Sequence, residues 1–177
     1  KNKVLPLTED ANVTLMAEMT DGSVIEGEAS ITKSDKKVKR LFYKEQPEVL
    51  EEVKVAIKEA DLIIFSMGSL YTSIFPHIIS DDIREALDEV KTPIMYLCNI
   101  VTQPGETDDF TVSDHVKLIN SYLGKHKLDV VIASNSKISD AMALRYANEE
   151  RKDPVKIDYP VLSKLDTEFI EADLLTV

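Results

Sequence analysis

The feature that most constrains the fold is a repeated alternation between short apolar runs and segments with helical periodicity. Three runs, at residues 62–65, 94–98 and 130–133, are almost continuously apolar and shorter than typical helices. Around them, apolar residues recur every three to four positions, as in helices with one buried side. Continuous apolar runs are typical of strands buried on both faces of a sheet. The order therefore predicts a doubly wound α/β fold, a parallel sheet with right-handed helical crossovers.

Local signals indicate where the helices begin. Pro47 is a favoured first helical residue, and Ser80 precedes two acids, as helix-capping residues often do. The Thr-Val-Ser-Asp segment at residues 111–114 has the pattern of an acidic capping box, and Gly124 stands near the end of that helix. The predicted helices cover residues 47–60, 80–90, 111–124 and 139–150, and a short strand is predicted at residues 155–158.

Residues 13–31 follow a different rhythm, in which apolar side chains alternate with polar ones. An Asp-Gly pair at 21–22 interrupts them as a hairpin turn would. A three-residue loop, with Gly22 in the left-handed conformation, brings one mostly apolar face together, whereas a two-residue loop would place apolar residues opposite glutamates. We therefore expect residues 13, 15, 17 and 19 to lie opposite residues 29, 27, 25 and 23.

Chain length and these two rhythms predict one α/β domain over residues 1–177. Residues 1–46 form its β-rich hairpin region, with a third short strand at 41–43 after a charged turn at 33–40. Residues 47–177 form the β/α core. The tail from residue 166 is mildly acidic and ends on an apolar stretch at 174–177, as expected of a chain cut within a structured region.

Composition excludes several classes of protein. A net charge of −11 and a pI near 4.7 argue against a surface that tracks nucleic-acid phosphates. The single cysteine, Cys98, excludes a scaffold built on internal disulfides. No apolar stretch approaches membrane-spanning length, so we expect no membrane partner and a cytoplasmic location.

In open parallel sheets, ligands bind outside the carboxyl ends of the strands. The first loop, residues 68–76, and the second loop, residues 99–107, follow two of the predicted strands. Glycine allows close backbone approach, hydroxyls can donate to phosphate, and side-chain amides suit the edge of a base or sugar. The predicted ligand-binding residues are Gly68, Ser69, Tyr71, Thr72, Ser73, Asn99, Gln103 and Thr107.

Each loop also has a purely structural interpretation. The first can be a polar turn that caps a helix, and the amides of Asn99 and Gln103 can satisfy backbone groups of their own loop. Glu106, Asp108 and Asp109 could hold a divalent cation, but acids in a loop are more often solvated. We therefore predict no metal ion as a required cofactor.

Other reactive side chains have weaker claims on function. Cys98 is predicted to be a packed thiol, and His115 a polar residue at a helix start that can face the second loop. His77 and His126 lack metal-ligand spacing, and no nucleophile elbow is present, so no catalytic residue is predicted. The basic cluster is either a solvated turn or a contact for ligand phosphate or a partner subunit; it comprises Lys33, Lys36, Lys37, Lys39 and Arg40.

The two loops carry a resemblance to a known family. Residues 68–74, Gly-Ser-Leu-Tyr-Thr-Ser-Ile, and residues 98–107, Cys-Asn-Ile-Val-Thr-Gln-Pro-Gly-Glu-Thr, closely resemble two signature stretches of the YvcK branch of the CofD-like family. Members of this branch are described as gluconeogenesis factors. The resemblance implies a Rossmann-like fold, a bacterial cytoplasmic location and binding of a UDP-sugar such as UDP-N-acetylglucosamine. It also implies a role in regulating carbon use, cell-wall synthesis and cell shape.

Two departures from the family pattern bear on the site. Family members usually carry Gly-Pro where Ser66 and Met67 stand, and they open with a glycine-rich loop that this chain lacks. The resemblance therefore implies the C-terminal portion of a longer nucleotide-binding protein, with part of the nucleotide site outside it.

Three functions remain open from the sequence. The first is a nucleotide-sugar-binding regulator, with a homo-oligomer and regulatory proteins as its candidate partners. The alternative is a transferase resembling 2-phospho-L-lactate transferase. The third is a protein-interaction module whose loop polarity is incidental.

Overall fold

A small antiparallel sheet opens the chain. The computed structural model describes residues 2–136 and 139–174. The strands are β1 (Leu15–Met19), β2 (Val24–Glu26) and β3 (Val38–Tyr43), in the order β2-β1-β3, and α1 (Glu28–Thr32) lies between β2 and β3 in sequence. The predicted third strand at residues 41–43 is confirmed as the end of a longer β3.

The hairpin between β1 and β2 has the predicted three-residue loop. Ala17 lies opposite Ile25, the Met19 N–H donates to the Ser23 carbonyl at 2.8 Å, and Gly22 is left-handed with φ 83°. The predicted extension of this pairing to residues 13 and 29 is wrong. Gly27, with φ 86°, redirects the chain after β2, and residues 28–32 form α1, which buries Ile31.

The larger sheet is parallel throughout, as predicted. Its strands are β4 (Ile63–Phe65), β5 (Ile94–Leu97), β6 (Val130–Ser134) and β7 (Glu168–Ala172), in the order β4-β5-β6-β7. A Rossmann-like α/β fold with an antiparallel excursion is thus confirmed. Among the described strands the order follows the chain without reversal. β7 was not predicted, because its acidic residues interrupt the apolar pattern of an edge strand.

Helices fill the connections. They are α2 (Glu51–Glu59), α3 (Phe75–Ile78), which continues a π-helical turn at Leu70–Ile74, α4 (Asp81–Glu89), α5 (Val112–Tyr122), α6 (Asp140–Arg145), which continues into a π-helical turn at Tyr146–Glu150, and α7 (Tyr159–Leu162). In the described part of the chain, none has the length and apolar character needed to cross a bilayer.

Two boundaries differ from the prediction. The first long helix begins at Glu51 rather than at Pro47, because the Leu50 N–H donates to the Leu7 carbonyl at 3.1 Å and keeps this stretch extended. The predicted strand at 155–158 is wrong, since only isolated bridges occur there, between Val101 and Pro154 and between Thr111 and Lys156. Residues 175–177 of the predicted apolar ending lie outside the described residues.

The two faces of the parallel sheet are packed differently. Ile94, Tyr96 and Val131 are fully buried, in the same apolar core as residues of α4 and α5. On the opposite face, Ile64 is 51% exposed and Ile170 is 38% exposed. The expectation that residues 62–65 are buried on both sides is therefore wrong for the face that carries Ile64.

Candidate functional site

The first and second loops leave the same edge of the parallel sheet. β4 and β5 are neighbours, and Phe65 lies opposite Tyr96 near their carboxyl ends. The chain therefore enters both loops side by side, as expected for parallel strands. The geometry brings together candidate residues that are about 30 positions apart in sequence.

Asn99 joins the second loop to the first. Its Nδ2 donates to the Gly68 carbonyl at 3.0 Å, and its Oδ1 accepts a hydrogen bond of 2.7 Å from the Tyr96 hydroxyl. Gly68 also packs closely on its own loop, since a Cβ there would lie 3.0 Å from the Cβ of Ser73. Both ends of the Asn99 amide are thus occupied by protein groups, which favours the structural interpretation of this residue.

Ser69 is the hub of the first loop. Its hydroxyl accepts from the Thr72 N–H at 3.1 Å and from the Thr72 hydroxyl at 2.7 Å, and it donates to Glu106 Oε2 at 2.7 Å. One donor and two acceptor positions exhaust what a serine hydroxyl offers. Ser69 therefore shapes the turn that begins at Leu70 and links it to the second loop.

Glu106 receives these contacts on a partly buried carboxylate. Besides Ser69, the Gln103 Nε2 approaches its Oε1 at 3.4 Å, and the backbone of Tyr71 is hydrogen bonded to it. Burial raises the pKa of Glu106 above its ordinary value, and the hydrogen bonds from Ser69 and Tyr71 oppose that rise. The described residues contain no ion pair to this carboxylate. Glu106 thus lies between the loops with hydrogen-bond donors around it and no cationic partner among the described residues.

The remaining predicted residues divide into buried and exposed ones. Tyr71 is 4% exposed and meets Phe75 edge to face at 5.1 Å, so it belongs to the core. Thr107 is also buried, and its hydroxyl accepts from the Gln103 N–H at 2.8 Å. Ser73 is exposed, and within the described residues its hydroxyl makes no hydrogen bond.

A groove of about 370 Å³ runs beside β4 at this edge. Its walls are mainly aliphatic, and its polar groups come from Ser66, Ser73 and His77. A volume of this order lies within the range of small-molecule sites. Ser73 therefore connects the first loop with a space that a ligand can enter.

The acids at positions 106, 108 and 109 do not form a metal site in the described part of the chain. Gly105 is left-handed with φ 79° and donates its N–H to Asp108 Oδ2 at 2.8 Å. A Cβ at Gly105 would lie 3.4 Å from the Ser34 carbonyl, so this loop also packs against the turn before β3. Over the described ranges, no group of three or more His, Cys, Asp or Glu side chains is arranged to hold a metal ion.

The predicted capping box opens α5, and Asp158 reinforces it. Thr111 and Asp114 exchange the two capping hydrogen bonds, at 3.3 and 3.0 Å. Asp158 accepts from the Ser113 N–H at 3.0 Å and from the Thr111 hydroxyl at 3.0 Å. Burial favours a higher pKa for Asp158, but the hydrogen bonds from Ser113 and Thr111 outweigh it, and the pKa is lowered.

His115 differs from its prediction as a polar residue at a helix start. Its side chain is fully buried, its Nδ1 lies 2.8 Å from the Thr111 carbonyl, and it meets Phe110 edge to face at 5.4 Å. Burial lowers the pKa of this imidazole, opposed by the Thr111 contact and by Asp114. His115 is therefore a core residue that packs under the end of the segment joining the second loop to α5.

Cys98 is a packed thiol, as predicted. It is 1% exposed, and burial raises its pKa to about 12. The thiolate is the nucleophilic form of cysteine, so this residue has the opposite of an activated environment.

Three members of the basic cluster are paired with acids of the first hairpin. Lys36 lies 2.7 Å from Asp21, and Lys39 and Arg40 contact Glu18 at 2.6 and 2.8 Å. These pairs favour the interpretation as a solvated turn with local ion pairs.

Sequence reasoning missed two residues of the site. Glu106 was considered only as a metal ligand, and Tyr96 only as part of a strand. The Ser69–Glu106 and Gly68–Asn99 contacts join residues 37 and 31 positions apart, and no local spacing signals them. For Tyr96 a weak signal exists, since a buried tyrosine hydroxyl usually needs a partner nearby.

Comparison with known proteins gives a consistent result. The family model described as 2-phospho-L-lactate transferase CofD matches residues 1–175. The gluconeogenesis factor of Bacillus subtilis is 38% identical over 99% of this chain and 55% of its own length. The gluconeogenesis factor of Halalkalibacterium halodurans is 38% identical over 93% of this chain and 51% of its own length.

A solved structure agrees with these sequences. A crystal structure of a Bacillus halodurans protein has a TM-score of 0.90 and 37% identity, and the match covers 97% of this chain and 55% of that one. The chain spans about half the length of the relatives it matches. The chain belongs to the CofD family, and its similar relatives include proteins named gluconeogenesis factor.

Proposed function

We propose that this chain supplies part of the nucleotide-sugar site of a cytoplasmic, UDP-sugar-binding regulator of carbon metabolism, cell-wall synthesis and cell shape. The observation that carries the proposal is the pairing of the two loops at the carboxyl edge of the sheet, through Asn99 and Glu106. This pairing leaves the Ser73 hydroxyl beside the groove. A regulator of this kind needs a ligand site and no bond-making residue.

The second candidate is a transferase resembling 2-phospho-L-lactate transferase, and the description of the matching family model favours it. Such an enzyme needs groups that position an acceptor and a phosphate donor for reaction. Near the two loops, Cys98 is buried and protonated and His115 has no access to solvent. These environments support the regulator over the transferase.

A thermal-shift panel on the whole protein separates the two. UDP-sugars should raise the melting temperature, because a ligand that binds only the folded state stabilises it. GDP and a deazaflavin should leave the melting temperature unchanged. Stabilisation by GDP or the deazaflavin, without an effect of UDP-sugars, would favour the transferase.

Ser73→Ala tests the site more directly. Loss of one hydrogen bond to a charged group is worth about 1.5–3 kcal/mol, or about ten- to a hundredfold in affinity for a UDP-sugar. Because the hydroxyl is exposed, the free energy of unfolding should change by less than about 0.5 kcal/mol. Calorimetric titration and chemical unfolding measure the two quantities.

Thr72→Ala is the companion change. The Thr72 hydroxyl donates to Ser69, so its loss should weaken binding and also loosen the turn. Normal affinity with a lowered melting temperature in both variants would return these hydroxyls to a capping role.

A further inference from the structure

We propose that Glu106 is a specificity-determining residue that favours nucleoside diphosphates whose outer phosphate is esterified, as in a nucleotide sugar, over those with a free terminal phosphate. This inference rests on the proposed function, in which hydroxyls of the first loop meet the ligand's diphosphate. An esterified outer phosphate carries one negative charge, whereas a free terminal phosphate carries about two near neutral pH.

Glu106 lies close to the hydroxyls of the first loop. Its Oε2 lies 2.7 Å from the Ser69 hydroxyl, which in turn lies 2.7 Å from the Thr72 hydroxyl. A phosphate that contacts the Thr72 hydroxyl therefore comes within several ångströms of the carboxylate. Asp108, two residues further along the chain, accepts instead from the Gly105 backbone.

The surroundings of Glu106 make a further negative charge nearby unfavourable. No lysine, arginine or histidine in the described residues forms an ion pair with it, and the side chain is partly buried. Its raised pKa indicates that these surroundings stabilise negative charge poorly. At up to about 8 Å and an effective dielectric constant of about 20, one further negative charge is disfavoured by roughly thirtyfold, and solvent around the open site reduces this to about tenfold.

Because Glu106 accepts a hydrogen bond from Ser69, a substitution can remove its charge and keep that bond. Glu106→Gln removes the charge while its amide oxygen can still accept from Ser69. The Gln103 amide can rotate to present its oxygen to the new NH₂ group, because its Nε2 makes a contact of only 3.4 Å. Glu106→Ala, in contrast, removes both the charge and the connection between the loops.

The test is calorimetric titration of the whole protein with UDP-glucose and with UDP. In the wild type, UDP-glucose should bind more tightly than UDP. In Glu106→Gln, the ratio of the two dissociation constants should fall by about tenfold, mainly because UDP binds more tightly. Sugar contacts cancel, since each ligand is compared with itself across the variants.

Asp108→Asn is the matched control. It removes the same charge two residues further along the chain, but Asp108 bonds to the Gly105 backbone and not to the first loop, so the ratio should stay within about twofold of the wild type. Glu106→Ala should weaken the binding of both ligands. A thermal unfolding curve checks that each variant is folded.

Each outcome decides something. An unchanged ratio in Glu106→Gln, with both ligands bound, would overturn the selectivity role and leave the proposed function standing. An equal fall of the ratio in Asp108→Asn would show a general charge effect and would also overturn it. Binding of neither ligand by the wild type would overturn the proposed function, and this inference with it.

Discussion

The two loops of the candidate site have similar composition and different tasks. In the second loop, the side chains of Asn99, Thr102 and Thr107 are all engaged with protein groups. In the first loop, Ser69 and Thr72 are bonded to each other, but the Ser73 hydroxyl is exposed beside the groove. The difference shows that the polar side chains of one loop can hold a neighbouring loop in place. Substitutions at Asn99, Thr102 and Thr107 should therefore act mainly on stability, and those at Ser73 mainly on binding.

Asn99→Ala should have the largest effect on stability. It removes the side-chain oxygen to which the fully buried Tyr96 hydroxyl donates, and the amide that donates to the Gly68 carbonyl. An unsatisfied buried donor costs about 1–3 kcal/mol, and with the lost bond to Gly68 we expect the free energy of unfolding to fall by about 2–3 kcal/mol. Chemical unfolding measures it.

A double-mutant cycle with Tyr96→Phe serves as the control, because the two losses should be less than additive. Asn99→Ala should also weaken two nucleotide sugars with the same diphosphate to an equal extent. Unaltered stability together with a lost preference between those sugars would break the comparison and make Asn99 a selector of the base or sugar.

Asp158→Asn should have an intermediate effect that depends on pH. Because the folded-state pKa of Asp158 is below its ordinary value of 3.8, its carboxylate stabilises the fold above that value, and the contribution is lost as the pH falls through the folded-state pKa. We expect a loss of about 1–2 kcal/mol at pH 7. The difference from the wild type should narrow below about pH 4.

Unfolding of both proteins at pH 7, 5 and 3 provides the check. A difference that stays constant over this range would mean that Asp158 acts through shape and not through its charge. Affinity for a UDP-sugar at pH 7 should stay within about twofold, since Asp158 contacts the start of α5 and not the first loop.

Cys98→Ser should have the smallest effect. It places a hydroxyl at a buried position just after β5, which we expect to cost about 1 kcal/mol, near the lower limit for a buried polar group because the thiol it replaces is itself weakly polar. Ligand affinity should be unchanged by calorimetric titration. Abolished binding with normal stability would give the thiol a function that its burial does not suggest.

Elements that depend on residues close together in sequence could be predicted, whereas those that depend on distant contacts could not. The strands β4, β5 and β6 and the capping box depend on residues close together in sequence, and they were found. The start of the first long helix was misplaced because Leu50 is held by Leu7, a contact across the fold. β7 was missed because Glu168 and Glu171 break its pattern at the open edge of the sheet.

The candidate site shows the same limit. Its place at the carboxyl edge followed from the strand order, and the loops named from sequence are the ones that meet there. What each side chain does depends on partners more than 30 residues away, such as Ser69 for Glu106 and Gly68 for Asn99. Tyr71 and Thr107 were chosen for their polar groups, yet both side chains are buried.

The face of the parallel sheet that carries Ile64 and Ile170 affects how molecules of this chain associate with one another. Leu62, Ile64 and Ile170 give that face an exposed apolar strip, which favours self-association. The net charge of −11 opposes it, because like-charged molecules repel over about 10 Å at 0.1 M salt and over only about 3 Å at 1 M. Ionic strength should therefore control the aggregation state of the isolated 177-residue chain, with added salt driving its molecules together.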